Sequence, residues 1–312
     1  MEIIRSLDKF TPIEKSVLTI GSYDGIHRGH YDILTSVVHH AHALSVQSIL
    51  VTFEPHPRHI LDSSDDKLSI IMGIDQKLEI IESLGVDLIY IIEFTQEFSK
   101  TSAKDFLDKT IIPNFNPEYI IVGYDHHFGY QREGSSKFLK QFCSEKEIGL
   151  EIIQPVTDDG QILSSTHIRQ LIKDGYVRRA NFELGSVFGF SGTVVRGAGR
   201  GKDLNFPTAN VIPREKNQLM PKPGVYFIRG RINGLQLYGM CNFGVRPTFN
   251  EIELVLEVHF FHDNFVDLYD NEIRVEFLER IRDEKKFPSP EDLKVQLIND
   301  KNKCLKLQGK YE

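Results

Sequence analysis

At 312 residues, with 40% hydrophobic and 26% charged side chains, the chain is long enough for two domains with separate cores. A formal net charge of -7 argues against nucleic acid or an anionic membrane as a partner, although local dipoles and a few basic residues can still hold a polyanionic small molecule. Cys143, Cys241 and Cys304 form no Cys-x-x-Cys pair, Met1–Phe10 has no signal-like apolar stretch, and Leu88–Ile92 is too short to cross a bilayer, so a cytoplasmic protein with reduced thiols is expected.

From residue 17 to about 175, short β-branched runs alternate with helical patterns. Strands are predicted at Val17–Ile20, Ser48–Phe53, Val86–Ile92, Tyr119–Val122 and Leu150–Ile153. Between the first two, Leu34, Val37, Val38, Ala41 and Leu44 recur at helical spacing. Ile74, Leu78 and Ile81 repeat that pattern, as do Ala103, Phe106 and Leu107 behind a Ser102 cap. The strands are apolar on both faces, as in a parallel sheet covered by helices on each side, and ligands are expected beyond the strand C-termini.

The first strand runs into Gly21-Ser22-Tyr23-Asp24-Gly25-Ile26-His27-Arg28-Gly29-His30 and then a helix. Gly21 and Gly25 permit tight backbone, and Gly29 allows close approach of a phosphate. His27 and His30, three apart at a helix start, can address one point, and the helix N–H groups already favour an anion there. Two ring donors suit a phosphate whose charge grows as it is attacked. A metal pair would need a third ligand at a recognisable spacing, which the chain does not offer. His39, His40 and His42 read as exposed helix residues.

Further along, Thr52-Phe53-Glu54-Pro55-His56-Pro57 closes the second strand. It can border a second substrate or be a proline-stiffened turn. Gly123-Tyr124-Asp125-His126-His127-Phe128-Gly129 follows another strand end, where Asp125 can hold a metal-bound phosphate or a ribose hydroxyl. Ser164-Ser165-Thr166-His167-Ile168-Arg169 opens a helix; one hydroxyl is expected to cap it, and three hydroxyls with an arginine also make a polyphosphate clamp. Together with the histidine segment, this resembles the nucleotidyltransferase superfamily pattern.

After Asn181 the rhythm changes. Strands are predicted at Phe190–Val195, Gly224–Arg231, Leu235–Asn242, Leu254–Phe261 and Glu272–Phe277, with helical periodicity only from Pro290 to Ile298. A small antiparallel β-barrel with a terminal helix is expected, dividing the chain into residues 1–182 and 183–312. Gly197-Ala198-Gly199-Arg200-Gly201-Lys202 is glycine-rich but is no Walker loop, because Arg196 and Asp203 stand where Gly and Ser/Thr are required. Next, Thr208 and Asn210 carry oxygens suited to magnesium. Leu254, Leu256, Val258 and Phe260 form one apolar strand face, with Glu257 and His259 on the other. A strand carboxylate is ordinarily solvated or salt-bridged; beside a magnesium motif, a general base is the better expectation.

In this order, these segments resemble the bacterial bifunctional riboflavin kinase/FAD synthetase family over nearly the full length. Pro223-Gly224-Val225-Tyr226, Asn242 to Thr248, and Ile281 to Phe287 add to the match. The resemblance implies a Rossmann-like nucleotidyltransferase domain followed by a riboflavin-kinase barrel. In the barrel, riboflavin and Mg-ATP would give FMN and ADP. Glu257 would be the base, Thr208 and Asn210 would hold magnesium, Gly197, Gly199, Gly201 and Lys202 would lie on ATP, and Asn242 and Arg282 on the flavin. In the first domain, FMN and ATP would give FAD and pyrophosphate. There His27 and His30 would be catalytic, with Gly21, Ser22, Asp24, Gly29, Asp125, Ser164, Ser165, Thr166 and Arg169 on ATP and pyrophosphate, and Phe53, Pro55, His56 and Pro57 bordering the flavin. Tyr23 and His126 stand where the family usually has Phe. The rival reading is a nucleotidyltransferase for another phosphorylated acceptor with a non-catalytic barrel; the sequence leaves the oligomeric state open.

Overall fold

The computed structural model describes the whole chain apart from residues 63–67, 196–205, 233, 248–251 and 262–268. It divides into two compact units: Met1–Ile70 with Ile74–Ser165, and Ile71–Gly73 with Thr166–Glu312.

The first unit is built on a six-stranded parallel sheet in the order β1-β4-β3-β2-β5-β6. The strands are β1 (Glu2–Ile4), β2 (Ser16–Ile20), β3 (Gln47–Glu54), β4 (Leu88–Glu93), β5 (Pro117–Gly123) and β6 (Gly149–Ile153). Every residue of β2 is buried, as befits a central strand covered on both faces. The edge strand β1 escapes a periodicity reading because it is three residues long. Helices α1 (Arg28–Leu44), α2 (Pro57–Leu61), α3 (Ile74–Ser83), α4 (Ala103–Phe106), α5 (Ile112–Phe115) and α6 (Ser136–Glu145) complete the unit. Helix α1 buries Ile33, Leu34, Val37 and Ala41 and ends at Ser45 in the left-handed conformation. Ser102 caps α4 as expected, its hydroxyl accepting from the Asp105 amide at 3.0 Å. A short hairpin of β7 (Thr157–Asp158) and β8 (Gln161–Ile162) precedes α7 (Ser165–Lys173). Successive connections from β2 lead to β3 on one side, while β5 lies on the other. The carboxyl end of β2 is therefore the topological switch point, where such sheets place their ligands.

The second unit is a closed antiparallel barrel of six strands in the order β10-β13-β12-β11-β14-β9. These are β9 (Gly189–Val195), β10 (Ala209–Pro213), β11 (Gly224–Ile232), β12 (Leu235–Pro247), β13 (Ile252–Phe260) and β14 (Glu272–Arg282). Strand β10 was hidden behind the polar Thr208 and Asn210 at its start. Inward residues such as Val194, Val211, Tyr226, Cys241, Phe243, Leu256, Val258, Phe260, Val275 and Phe277 make one apolar core. Helix α8 (Val177–Leu184) packs on β14, with the Asn181 amide donating to the Phe277 carbonyl at 2.9 Å. The terminal helix α9 (Pro290–Gln308) is twice the expected length and is capped by Ser289. It covers a second apolar cluster that includes Val225, Phe227, Met240, Leu278, Ile281 and Cys304. The three cysteines are free and buried.

Candidate functional site

The first constellation leaves the switch-point strand. After β2, the chain turns through Tyr23 (φ 48°) and Gly25 (φ 61°) and enters α1 with His27 as its N-cap. The His27 Nδ1 accepts from the His30 backbone amide at 3.3 Å, replacing the usual Ser or Asp cap. The two imidazoles stack with centroids 3.7 Å apart and 17° between planes. Burial pushes the His27 pKa down to about 4, and burial, then His27 and Lys77, hold that of His30 well below the ordinary value. Both rings are therefore neutral at pH 7, and His30 keeps a buried Nδ1 with no hydrogen-bond partner among the described residues. A neutral, desolvated pair at a helix start is prepared for an incoming anion.

The glycines here have distinct physical reasons. A Cβ on Gly21 would stand 2.7 Å from the Tyr23 ring, and one on Gly29 would stand 3.3 Å from the His27 ring. Gly29 thus protects the orientation of the histidine as well as the space expected for phosphate. Ser22 is half-buried and Asp24 is 3% exposed. The Ser165 hydroxyl donates to the Asp24 carbonyl at 2.8 Å, tying the start of α7 to this turn. Ser164 and Ser165 belong to the first unit; Thr166 and Arg169, further along the same helix, belong to the second. Asp125 is exposed just beyond β5. Phe53 is 8% exposed and packs edge-on to Phe94, so it is a core ring of the first unit. Pro55, His56 and Pro57 follow, half-buried, with the His56 Nδ1 accepting from the Arg58 amide at 3.2 Å. His126 keeps an aromatic role, stacked on Phe128 at 5.4 Å, but its buried Nε2 lacks a partner among the described residues and its pKa falls to about 4. His39 and His42 are exposed as expected, whereas His40 is half-buried against Tyr119.

The second constellation is assembled by register. Asn210 of β10 pairs directly with Glu257 of β13, and Glu257 pairs on its other side with Asn242 of β12. Asn242 pairs with Val225 of β11, which pairs with Arg282 of β14. Five strands thus contribute one row, and directly opposed residues share a face. This row alternates with the core residues Val211, Leu256 and Phe243, so it lies on the outer face of the barrel. Leu256, Val258 and Phe260 point into the core as predicted, with His259 on the face of Glu257, its Nδ1 2.9 Å from the Pro207 carbonyl. Leu254 lies in β13. Arg282 pairs with the buried Asp300 of α9 at 2.8 Å, which fixes its guanidinium next to the row. Glu284, missed in the sequence, accepts from the Asn242 amide at 3.4 Å. Thr208 is half-buried just before β10. The Gly197, Gly199, Gly201 and Lys202 candidates lie outside the described residues. Among those described, no three His, Cys, Asp or Glu side chains converge as a metal cluster.

Two family models cover these two constellations separately: FAD synthetase matches residues 10–167 and riboflavin kinase matches residues 184–308. The chain belongs to the bifunctional riboflavin kinase/FMN adenylyltransferase family. A member from Bacillus subtilis is 32% identical over 295 residues, covering 94% of this chain and 92% of the relative. A member from Escherichia coli K12 is 33% identical over 305 residues, covering 96% of each. A solved structure from Streptococcus pneumoniae, described as a macrolide-efflux protein, superposes with a TM-score of 0.87 at 30% identity over 96% of this chain and 97% of its own. That description is shared by neither family model, and no described helix here is long and apolar enough to cross a membrane. Both activities of the family have their own unit in this chain.

Proposed function

We propose that the barrel row phosphorylates riboflavin and that the histidine turn then adenylylates the FMN formed. The arrangement that carries this reading is the row Asn210–Glu257–Asn242, which joins residues far apart in sequence into one polar strip on the barrel.

In the barrel, Glu257 takes the proton of the terminal ribityl hydroxyl as that oxygen attacks the γ-phosphorus of ATP, giving FMN and ADP. Asn242 and Arg282 lie along the same row and hold the flavin. Thr208, beside the row, and Asn210, within it, offer hard neutral oxygens. That donor set suits magnesium, which takes few protein ligands and completes its shell with phosphate and water. When bound, magnesium neutralises phosphate charge. Gly197, Gly199, Gly201 and Lys202 contact the nucleotide.

In the sheet unit, the FMN phosphate attacks the α-phosphorus of a second ATP and pyrophosphate leaves. His27 and His30, neutral and stacked, donate ring N–H groups to the α-phosphate as charge grows on it. Gly21, Ser22, Asp24 and Gly29 shape the phosphate cradle. Ser164, Ser165, Thr166 and Arg169 hold the departing pyrophosphate, with Arg169 one turn beyond Ser165 on the same helical face. Asp125 holds the nucleotide, and Pro55, His56 and Pro57 border the flavin, with Phe53 supporting that edge from the core. Incubation with riboflavin and Mg-ATP, followed by chromatography of the flavins, tests the reading: FMN is expected first and FAD second. Absence of both overturns it.

A further inference from the structure

Among the described residues, Lys77 is the only lysine or arginine that is buried, at 4% exposure. It lies on α3, remote in sequence from every motif considered above. A buried ammonium persists only where it is compensated. Its Nζ donates to the Ser22 carbonyl at 2.8 Å, and the same carbonyl receives the Thr52 hydroxyl at 3.4 Å. Burial lowers its pKa below the ordinary lysine value, and two carboxylates, Asp24 on the turn and Glu54 at the end of β3, oppose that shift.

Ser22 is followed by Tyr23, whose left-handed φ of 48° is unusual for a residue with a side chain. Lys77 grips this peptide from the carbonyl side. From the other side, the Tyr23 hydroxyl lies 2.6 Å from the Thr19 Oγ1. The Tyr23 ring meets the His30 ring at 4.9 Å, and His30 stacks on His27. A continuous set of contacts therefore runs from Lys77 through Ser22 and Tyr23 to both imidazoles.

We propose that Lys77 is a positioning residue for adenylyl transfer: it locks the Ser22–Tyr23 turn that aims His30 and His27, and it places a fixed positive charge beneath a polyphosphate site. The proposal rests on the histidine turn being the adenylylation centre. The groups acting on His30 are His27 and Lys77, which disfavour its protonation, and the Gly25 backbone, which favours it. Asp24 acts on both His27 and Lys77. Removing the lysine charge should therefore make His30 easier to protonate.

The test uses the full chain with supplied FMN and Mg-ATP, comparing Lys77→Met, Lys77→Arg and the His27→Ala/His30→Ala double variant. Lys77→Met is expected to lower kcat for FAD formation by about 100-fold, with the KM for ATP changed far less. The acid limb of its pH profile should move to higher pH, and Lys77→Arg should return that limb towards wild type. Riboflavin phosphorylation in the same samples, with thermal unfolding, reports folding. If Lys77→Met does not fold, the Lys77→Arg rate and limb decide, near-wild-type values supporting the charge role. Wild-type kcat in Lys77→Met overturns the proposal, as does an equal loss in both lysine variants with an unmoved acid limb. FAD formation surviving in the double histidine variant would instead refute the site itself, whatever Lys77 does.

Discussion

The two sites are built in opposite ways. The proposed adenylylation site centres on a contiguous turn, Gly21–His30, hung from the end of one buried strand, and its two histidine rings are desolvated and neutral. The proposed phosphorylation site centres on a row across five barrel strands, whose members lie between 210 and 282 in sequence and are aligned by hydrogen-bond register. One depends on local backbone geometry, the other on the closure of a whole barrel. Perturbations should therefore separate them.

The largest separation is expected from Glu257→Gln, which removes the proposed base without changing shape. Riboflavin phosphorylation should fall by about 10³-fold, while supplied FMN is adenylylated at the wild-type rate, as read by product chromatography. Asp300→Asn leaves the guanidinium of Arg282 without its carboxylate partner inside the α9 contact. Denaturant unfolding should show the barrel weakened by about 3 kcal/mol, with the sheet unit unaffected. Gly29→Ala sets a methyl 3.3 Å from the His27 ring and should slow FAD formation by about 10- to 100-fold, sparing the kinase step.

The smallest effect concerns His126. Its buried, unpartnered Nε2 costs stability, so His126→Phe should stabilise the sheet unit by about 1 kcal/mol. It should also flatten the acid response. Both His27 and His126 have folded pKa values near 4, below the ordinary 6.5, so the unfolded chain takes up protons first as pH falls. Protonation of these two side chains leaves the fold's stability unaffected above about pH 6.5 and lowers it progressively as pH falls towards 4. Thermal unfolding across that range should show the loss, and a smaller loss in His126→Phe.

This contrast also explains what was legible in the sequence. The strands of the parallel sheet carry uninterrupted apolar runs, so β2 to β6 could be placed within a residue or two. The histidine turn announces itself because glycines, a strand end and a helix start are adjacent. Strand β1 is too short to show a period, and β10 was masked by the polar Thr208 and Asn210 at its start. The alternation around Glu257 gave its face correctly, but the alignment of Asn210, Glu257 and Asn242 exists only once the strands pair. Lys77 carried no signal at all: on an amphipathic helix it reads as a solvated side chain, and its burial depends on the turn it meets. Glu284 joined the site for the same reason, through a contact with Asn242 that no spacing predicts.

The central claim is that two separable centres act in sequence on one flavin. Its most direct measurement follows the flavin products of Glu257→Gln and of His27→Ala/His30→Ala, each supplied first with riboflavin and then with FMN. Glu257→Gln should form little FMN from riboflavin yet convert supplied FMN to FAD, and the double histidine variant should accumulate FMN and stop there. Loss of both reactions in either folded variant would contradict the account.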